Sequence, residues 1–185
     1  MTGPVQSRIG VVLPGGGARG AYQVGVLQAV AEMGPQGTGP FSIITGTSAG
    51  SVNAAVLASH AGDLAHAVAR LEHFWSDLHC ADIYRTDAWT VLSSALRWAL
   101  SLGSGGFFSV APRALLDNTP LRELLERSLK MDGIDAALKA GDLAGLAITA
   151  SAYTRARAVS FFQGQPVLVP WERSRRSGEA TRLTV

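Results

Sequence analysis

Five consecutive residues, Gly46-Thr47-Ser48-Ala49-Gly50, fit the pattern G-x-S-x-G, in which a serine hydroxyl stands on a sharp strand-to-helix turn and attacks an acyl carbon. The flanking glycines have a steric reason. Side chains two residues before and after a serine in such strained backbone would collide with the adjoining strand and helix. The chemistry is acyl transfer through Ser48.

A second motif, Gly15-Gly16-Gly17-Ala18-Arg19-Gly20, fits G-x-G-x-x-G. That spacing serves two chemistries. It holds a dinucleotide pyrophosphate at the start of a helix, or it offers unblocked backbone N–H groups to the oxyanion of a tetrahedral intermediate. The dinucleotide alternative, a Rossmann-type oxidoreductase, requires an acid about 20 residues on, at the end of the next strand. Residues 44–47 contain no carboxylate.

Both motifs need elements that bring them together. Residues 8–13 form a short β-branched run that reads as a buried strand. A helix over 20–33 follows, with Ala21, Val24, Leu27, Val30 and Ala31 at three- and four-residue spacing. Gly34-Pro35 ends it, the glycine accepting a left-handed cap. A second buried strand over 41–45 leads into a small-residue helix over 51–59. This alternation predicts an α/β fold with a parallel sheet. Adjacent parallel strands carry their carboxyl ends to one edge, which sets the Gly15–Gly17 loop beside Ser48. The positive end of the helix after Ala49 favours negative charge at the same place.

Later elements are an amphipathic helix over 61–79, an almost uncharged one over 88–102 and a helix starting at Thr119-Pro120, with threonine as N-cap and proline in the first turn. Leu121, Leu124, Leu125 and Leu129 make the apolar stripe of the last. Strands are expected over 143–149 and 158–162, joined by residues 151–157, and the chain turns polar after Pro170.

With these elements in place, the residues resemble the patatin-like phospholipases, lipid acyl hydrolases of α/β fold. Gly15-Gly-Gly-Ala-Arg-Gly-Ala-Tyr22 with Gly25-Val-Leu27 is similar to that family's oxyanion block. Gly46-Thr-Ser-Ala-Gly50 followed by Asn53-Ala-Ala55 is similar to its nucleophile block. Weaker similarity runs through Pro120-Leu-Arg122 and residues 146–162. The resemblance implies a three-layer α/β/α domain with a mostly parallel sheet over residues 8–185, preceded by a tail over 1–7. It also implies Ser48 as nucleophile and Gly15, Gly16, Gly17, Arg19 and Gly20 as the oxyanion region. The implied substrate is a phospholipid or another acyl-ester lipid, hydrolysed without a cofactor.

Ser48 also needs a proton acceptor. His60, His66, His73 and His79 all fall in the nucleophile helix or the next one, whereas an α/β-hydrolase brings its acid and histidine from later strand ends. They read as polar helix positions. The patatin-like family uses a serine–aspartate dyad, its aspartate in a D-G-G or D-G-A motif after a later strand, and here the sequence departs from it. The only Asp-Gly pair, Asp132-Gly133, is followed by isoleucine and precedes the strand over 143–149; it reads as a turn or helix start. The expectation is a domain incomplete at its C-terminus, whose aspartate lies further on. Strands over 143–149 and 158–162 without later neighbours point the same way. A catalytically silent, lipid-binding relative is the non-enzymatic alternative.

Composition narrows the field. The chain of 185 residues is 47% hydrophobic and 16% charged, which excludes disorder and suits one domain. A net charge of +2 with scattered arginines is no footprint for nucleic acid. Cys80 is the one cysteine and cannot form an internal disulfide. The N-terminus shows neither a signal-peptide core nor a membrane span, so a cytoplasmic or membrane-peripheral protein is expected. No His, Cys, Asp and Glu spacing suggests a metal. Trp89, Trp98 and Phe107-Phe108 read as a buried helix and its sequel, with peripheral contact at a lipid interface as the alternative. Arg173, Arg175 and Arg176 read as a solvated loop, or as contacts for anionic headgroups. Arg19 binds a substrate phosphate or decorates the first helix.

Overall fold

The first strand, β1 (Ile9–Leu13), comes from the β-branched run before Pro14. In the computed structural model, which describes residues 8–79, 82–83, 119–152, 156–166 and 168–184, it opens a six-stranded sheet. Helix α1 (Gly20–Met33) follows, then β2 (Phe41–Thr47), α2 (Ala49–Ser59) and α3 (Leu64–Ser76). After α4 (Thr119–Ser128) and α5 (Asp132–Ala140) come β3 (Gly145–Ala152), β4 (Arg157–Gly164), β5 (Trp171–Arg173) and β6 (Arg176–Ala180). The chain divides into two units, residues 1–76 with 129–185, and residues 77–128.

Strand order is β1-β2-β3-β4-β6-β5. The pairs β1–β2, β2–β3 and β4–β6 are parallel, while β3–β4 and β5–β6 are antiparallel. The α/β class and the mostly parallel sheet flanked by helices are what the sequence leads one to expect. Leu13, Ile44 and Leu146 on one face of the sheet join Val24 and Leu27 of α1, the alanine-rich side of α2, Leu71 of α3 and Ile134 of α5 in one core cluster. Helix α2 is buried from Asn53 to Ala58, so its small residues are what let it lie close to the sheet.

Three expectations need correction. Gly34 ends α1 in extended backbone (φ −92°, ψ 168°), not left-handed, because the residue before a proline is pushed out of the helical region by the pyrrolidine ring. Helix α3 is shorter than 61–79, since Asp63 caps it: its Oδ1 accepts the His66 N–H at 3.0 Å. The polar segment after Pro170, with Arg173, Arg175 and Arg176, is the β5–β6 hairpin, so β4 does have a later neighbour, β6. The hairpin is held by side chains rather than an alternating pattern. The Trp171 indole lies over Gly178 beside Phe162, and Arg157 donates to Glu172 at 2.6 Å.

In the second unit, α4 starts at Thr119-Pro120, with Leu121, Leu124 and Leu125 half-buried. The expectations on residues 1–7, on Cys80, on 88–102 with Trp89 and Trp98, and on Phe107-Phe108 lie outside the described residues. Among the described residues no helix is long and apolar enough to cross a membrane.

Candidate active site

Leu13 of β1 pairs with Gly46 of β2, so the two strands end side by side. From β1 the chain runs into Pro14 and the glycine loop, and from β2 into Ser48. That residue sits at φ 54° and ψ −126°, the geometry of a tight mirror-image turn that glycine prefers. Holding a serine there costs about 1–3 kcal/mol. The junction enforces it. A Cβ on Gly46 would meet the Gly50 carbonyl and stand 2.7 Å from the Ala54 methyl, and one on Gly50 would come within 2.7 Å of the Pro14 oxygen. Both flanking positions must therefore lack a side chain, as the motif argument requires.

Ser48 is exposed. Its carbonyl accepts the Ser51 N–H at 2.8 Å, closing the first turn of α2, whose axis begins at Ala49 and presents its positive end there. Thr47 is exposed beside it and pairs with Thr149 of β3. The glycine loop comes up against the serine. A Cβ on Gly15 would stand 3.1 Å from Ser48 Cβ and 3.8 Å from its Oγ. Gly16 is followed by Gly17 at φ +56°, and residues 17–19 make one 3-10 turn closed by Arg19 N–H to Gly16 O at 3.2 Å. Arg19 is exposed, its stem over Gly16. Gly20 is buried, its missing Cβ occupied by the Trp75 ring. Thus Ser48 and Gly15 are in contact range, Gly16, Gly17 and Arg19 form the adjoining turn, and Gly20 is a packing position behind it.

Behind this edge lies a polar network that sequence reasoning missed. Asn53 is fully buried. Its Oδ1 accepts the Trp75 indole N–H at 2.8 Å, and its Nδ2 donates to Gly20 O and to Gln23 Oε1, both at 3.0 Å. Gln23 Nε2 in turn donates to Pro14 O at 2.7 Å. The available signal was one amide among the small apolar residues of 50–58, a position where a buried polar group has to be matched.

His60 and Asp132, two titratable residues singled out from the sequence, stand elsewhere. His60 caps the opposite end of α2, about 18 Å along the axis from Ser48. Its Nδ1–H donates to Val56 O at 3.0 Å, and its ring lies tilted at 39° to the His66 ring with centroids 4.8 Å apart. Burial holds its pKa below the ordinary histidine value, with His66 and Arg70 pushing the same way against the Val56 bond. Asp132 starts α5, as the helix-start reading expects, and its neighbour Gly133 packs on Ser59. It too belongs to the far end of α2. Among the described residues Ser48 Oγ has no hydrogen-bond partner.

A family model described as Patatin-like phospholipase matches residues 11–177. No curated protein and no solved structure matches the chain.

Proposed function

The chain belongs to the patatin-like phospholipase family, and we propose that it hydrolyses acyl esters of lipids through an acyl-enzyme on Ser48. The observation that carries this is the strained Ser48 at a strand end, with a glycine loop against it. Strain of this kind persists where the surroundings over-determine it.

The steps follow from the residues present. Ser48 Oγ attacks the ester carbon and gives its proton to a base, and the carbonyl oxygen becomes an oxyanion. Backbone N–H groups of Gly15, Gly16 and Gly17 face it, with the α2 N-terminus adding its dipole. Collapse breaks the ester C–O bond, and the alcohol leaves with the proton from the base. Water then attacks the acyl-serine with the same base accepting its proton, which frees the carboxylic acid and restores Ser48. The base is an aspartate outside the described residues, as in the family's dyad. In this scheme Arg19, exposed at the rim, meets the lipid phosphate.

The departure from the family's D-G-G or D-G-A motif, where Asp132-Gly133 is followed by isoleucine, favours a second reading, a relative that binds lipid without turnover. Intact mass after treatment with a fluorophosphonate, run beside Ser48→Ala, separates the two. One adduct that is lost in the variant supports the hydrolase reading and sets an active base within these 185 residues. No adduct is the expected result where the aspartate lies further on, as the dyad resemblance implies; a chain extended through a downstream Asp-Gly motif should then take the label, and no adduct there overturns the hydrolase reading in favour of the silent one. Fatty-acid release from phosphatidylcholine vesicles against triacylglycerol emulsion then tests the substrate class.

A further inference from the structure

We propose that Gln23 is a positioning residue that aims the Gly15 N–H at the oxyanion position beside the nucleophile, and that Asn53 and Trp75 fix the direction in which it does so. The proposal rests on Ser48 as nucleophile and on the glycine loop as its oxyanion region.

The argument starts from donors and acceptors. An indole nitrogen can only donate, so the Asn53 atom 2.8 Å from Trp75 Nε1 must be the carbonyl oxygen. That assignment leaves the Asn53 amide hydrogens facing Gly20 O and Gln23 Oε1. Gln23 thereby has its oxygen committed to Asn53, and its amide nitrogen faces Pro14 O at 2.7 Å. Turning either amide over would set oxygen against oxygen. One donor direction therefore runs from α3 through α2 and α1 to the end of β1. With Asn53 at 0% exposure, no water competes for its amide, and low local dielectric strengthens its bonds, while the last bond, from Gln23 to Pro14 O, is exposed.

Pro14 O is where this direction becomes catalytic geometry. The Pro14–Gly15 peptide is planar and trans, so its C=O and N–H point in opposite directions. Fixing the carbonyl fixes the N–H of Gly15, the loop residue closest to Ser48. The same carbonyl lies against Gly50, which ties the loop to the elbow on its other side.

Two variants break the last link in different ways. Gln23→Met removes both hydrogen bonds at similar volume, and Gln23→Glu keeps an acceptor for Asn53 but has no donor for Pro14 O. The first readout is the saturation kinetics of Ser48 labelling by a fluorophosphonate. The limiting rate is expected to fall about tenfold in both variants, a fraction of the loss seen when an oxyanion donor is removed outright. The half-saturation concentration stays as in the wild type. The second readout is trypsin cleavage after exposed Arg19, with cleavage after Arg175 in the β5–β6 turn as internal reference. Losing one hydrogen bond should speed the Arg19 cut about fivefold relative to the Arg175 cut. Wild-type labelling in Gln23→Glu, or an unchanged Arg19 to Arg175 ratio, overturns the proposal. So does a general loss of stability with both cuts accelerated, since that marks a merely structural residue. If the wild-type chain takes no label, the labelling is read on a chain extended through a downstream Asp-Gly motif; no label there means that the nucleophile reading has failed, and the cleavage ratio then decides the positioning by itself. Trp75→Phe, which keeps the ring over Gly20 but removes the N–H, covers the case in which the Gln23 variants do not fold; the same two changes in weaker form are expected, and wild-type behaviour overturns the proposal.

Discussion

Replacing Ser48 by glycine should make the protein more stable while removing the proposed nucleophile. At φ 54° and ψ −126° a residue with a Cβ is strained by about 1–3 kcal/mol, and glycine is not. The hydroxyl is exposed and has no partner among the described residues, so its loss forfeits little. Against the relief stands the extra freedom of glycine in the unfolded chain, about 0.5–1 kcal/mol relative to alanine. Taking the middle of each range leaves a net gain of about 1 kcal/mol for Ser48→Gly over Ser48→Ala. Alanine is the right comparison because it retains the Cβ, and with it the strain, but also lacks the oxygen. In urea unfolding the glycine variant should show a higher midpoint at unchanged slope, and its thermal midpoint should rise by about 2–4 °C. Neither variant takes up fluorophosphonate. A Ser48→Gly protein no more stable than Ser48→Ala would refute the reasoning, because it would mean that no strain is held at the elbow.

Gly50→Ala drives a methyl group into the backbone at the end of β1, within 2.6 Å of the Leu13 carbonyl carbon and 2.7 Å of the Pro14 oxygen. Neither can give way as a side chain could, so a loss of about 3 kcal/mol and at least tenfold slower labelling of Ser48 are expected. Gly25→Ala, on the exposed side of α1 with nothing within 4 Å of the new methyl, should instead stabilise by about 0.5–1 kcal/mol; urea titration of the pair checks both signs. His60 supplies a pH dependence. Burial lowers its folded-state pKa below the unfolded value of 6.5, so the unfolded chain takes up the proton first and stability falls as pH drops below about 6.5. His60→Gln should remove that increment, and the difference between wild type and variant should shrink to a constant above pH 7.5; a difference that is flat from pH 5 upward excludes the mechanism.

The front half of the fold was legible because local and tertiary demands coincide there. Residues 8–13 are β-branched and short, Gly20–Met33 keeps its apolar spacing over nearly four turns, and glycines mark the two places where backbones approach. The β5–β6 hairpin was not legible. Trp171-Glu-Arg and Arg176-Ser-Gly-Glu-Ala180 show no apolar alternation, and the strands exist because Trp171 lies on Gly178 and Arg157 reaches Glu172. Such contacts depend on where distant residues arrive, and a sequence window does not contain that information. Gly34 shows a subtler failure. The helix ends where expected, yet Pro35 and not a left-handed glycine ends it, so a correct boundary had rested on the wrong cause.

The same distinction separates the parts of the candidate site. Ser48, Gly46, Gly50 and the Gly15–Gly17 loop declare themselves because each answers a constraint within a few residues: a sharp turn, a close backbone, a missing side chain. Gln23, Asn53 and Trp75 answer one another across three helices, at separations of 30 and 22 residues, and none has a neighbour in sequence that explains it. A buried amide among alanines does carry one inference even without coordinates. It must have partners whose donors and acceptors match its own, and the helix that bears it starts beside Ser48, the proposed nucleophile. Such an amide is therefore expected to tie the nucleophile helix to whatever packs behind it. In this chain what packs behind it is α1, whose first turn grows out of the glycine loop, so the residue that stabilises the helix packing is also placed to set the loop.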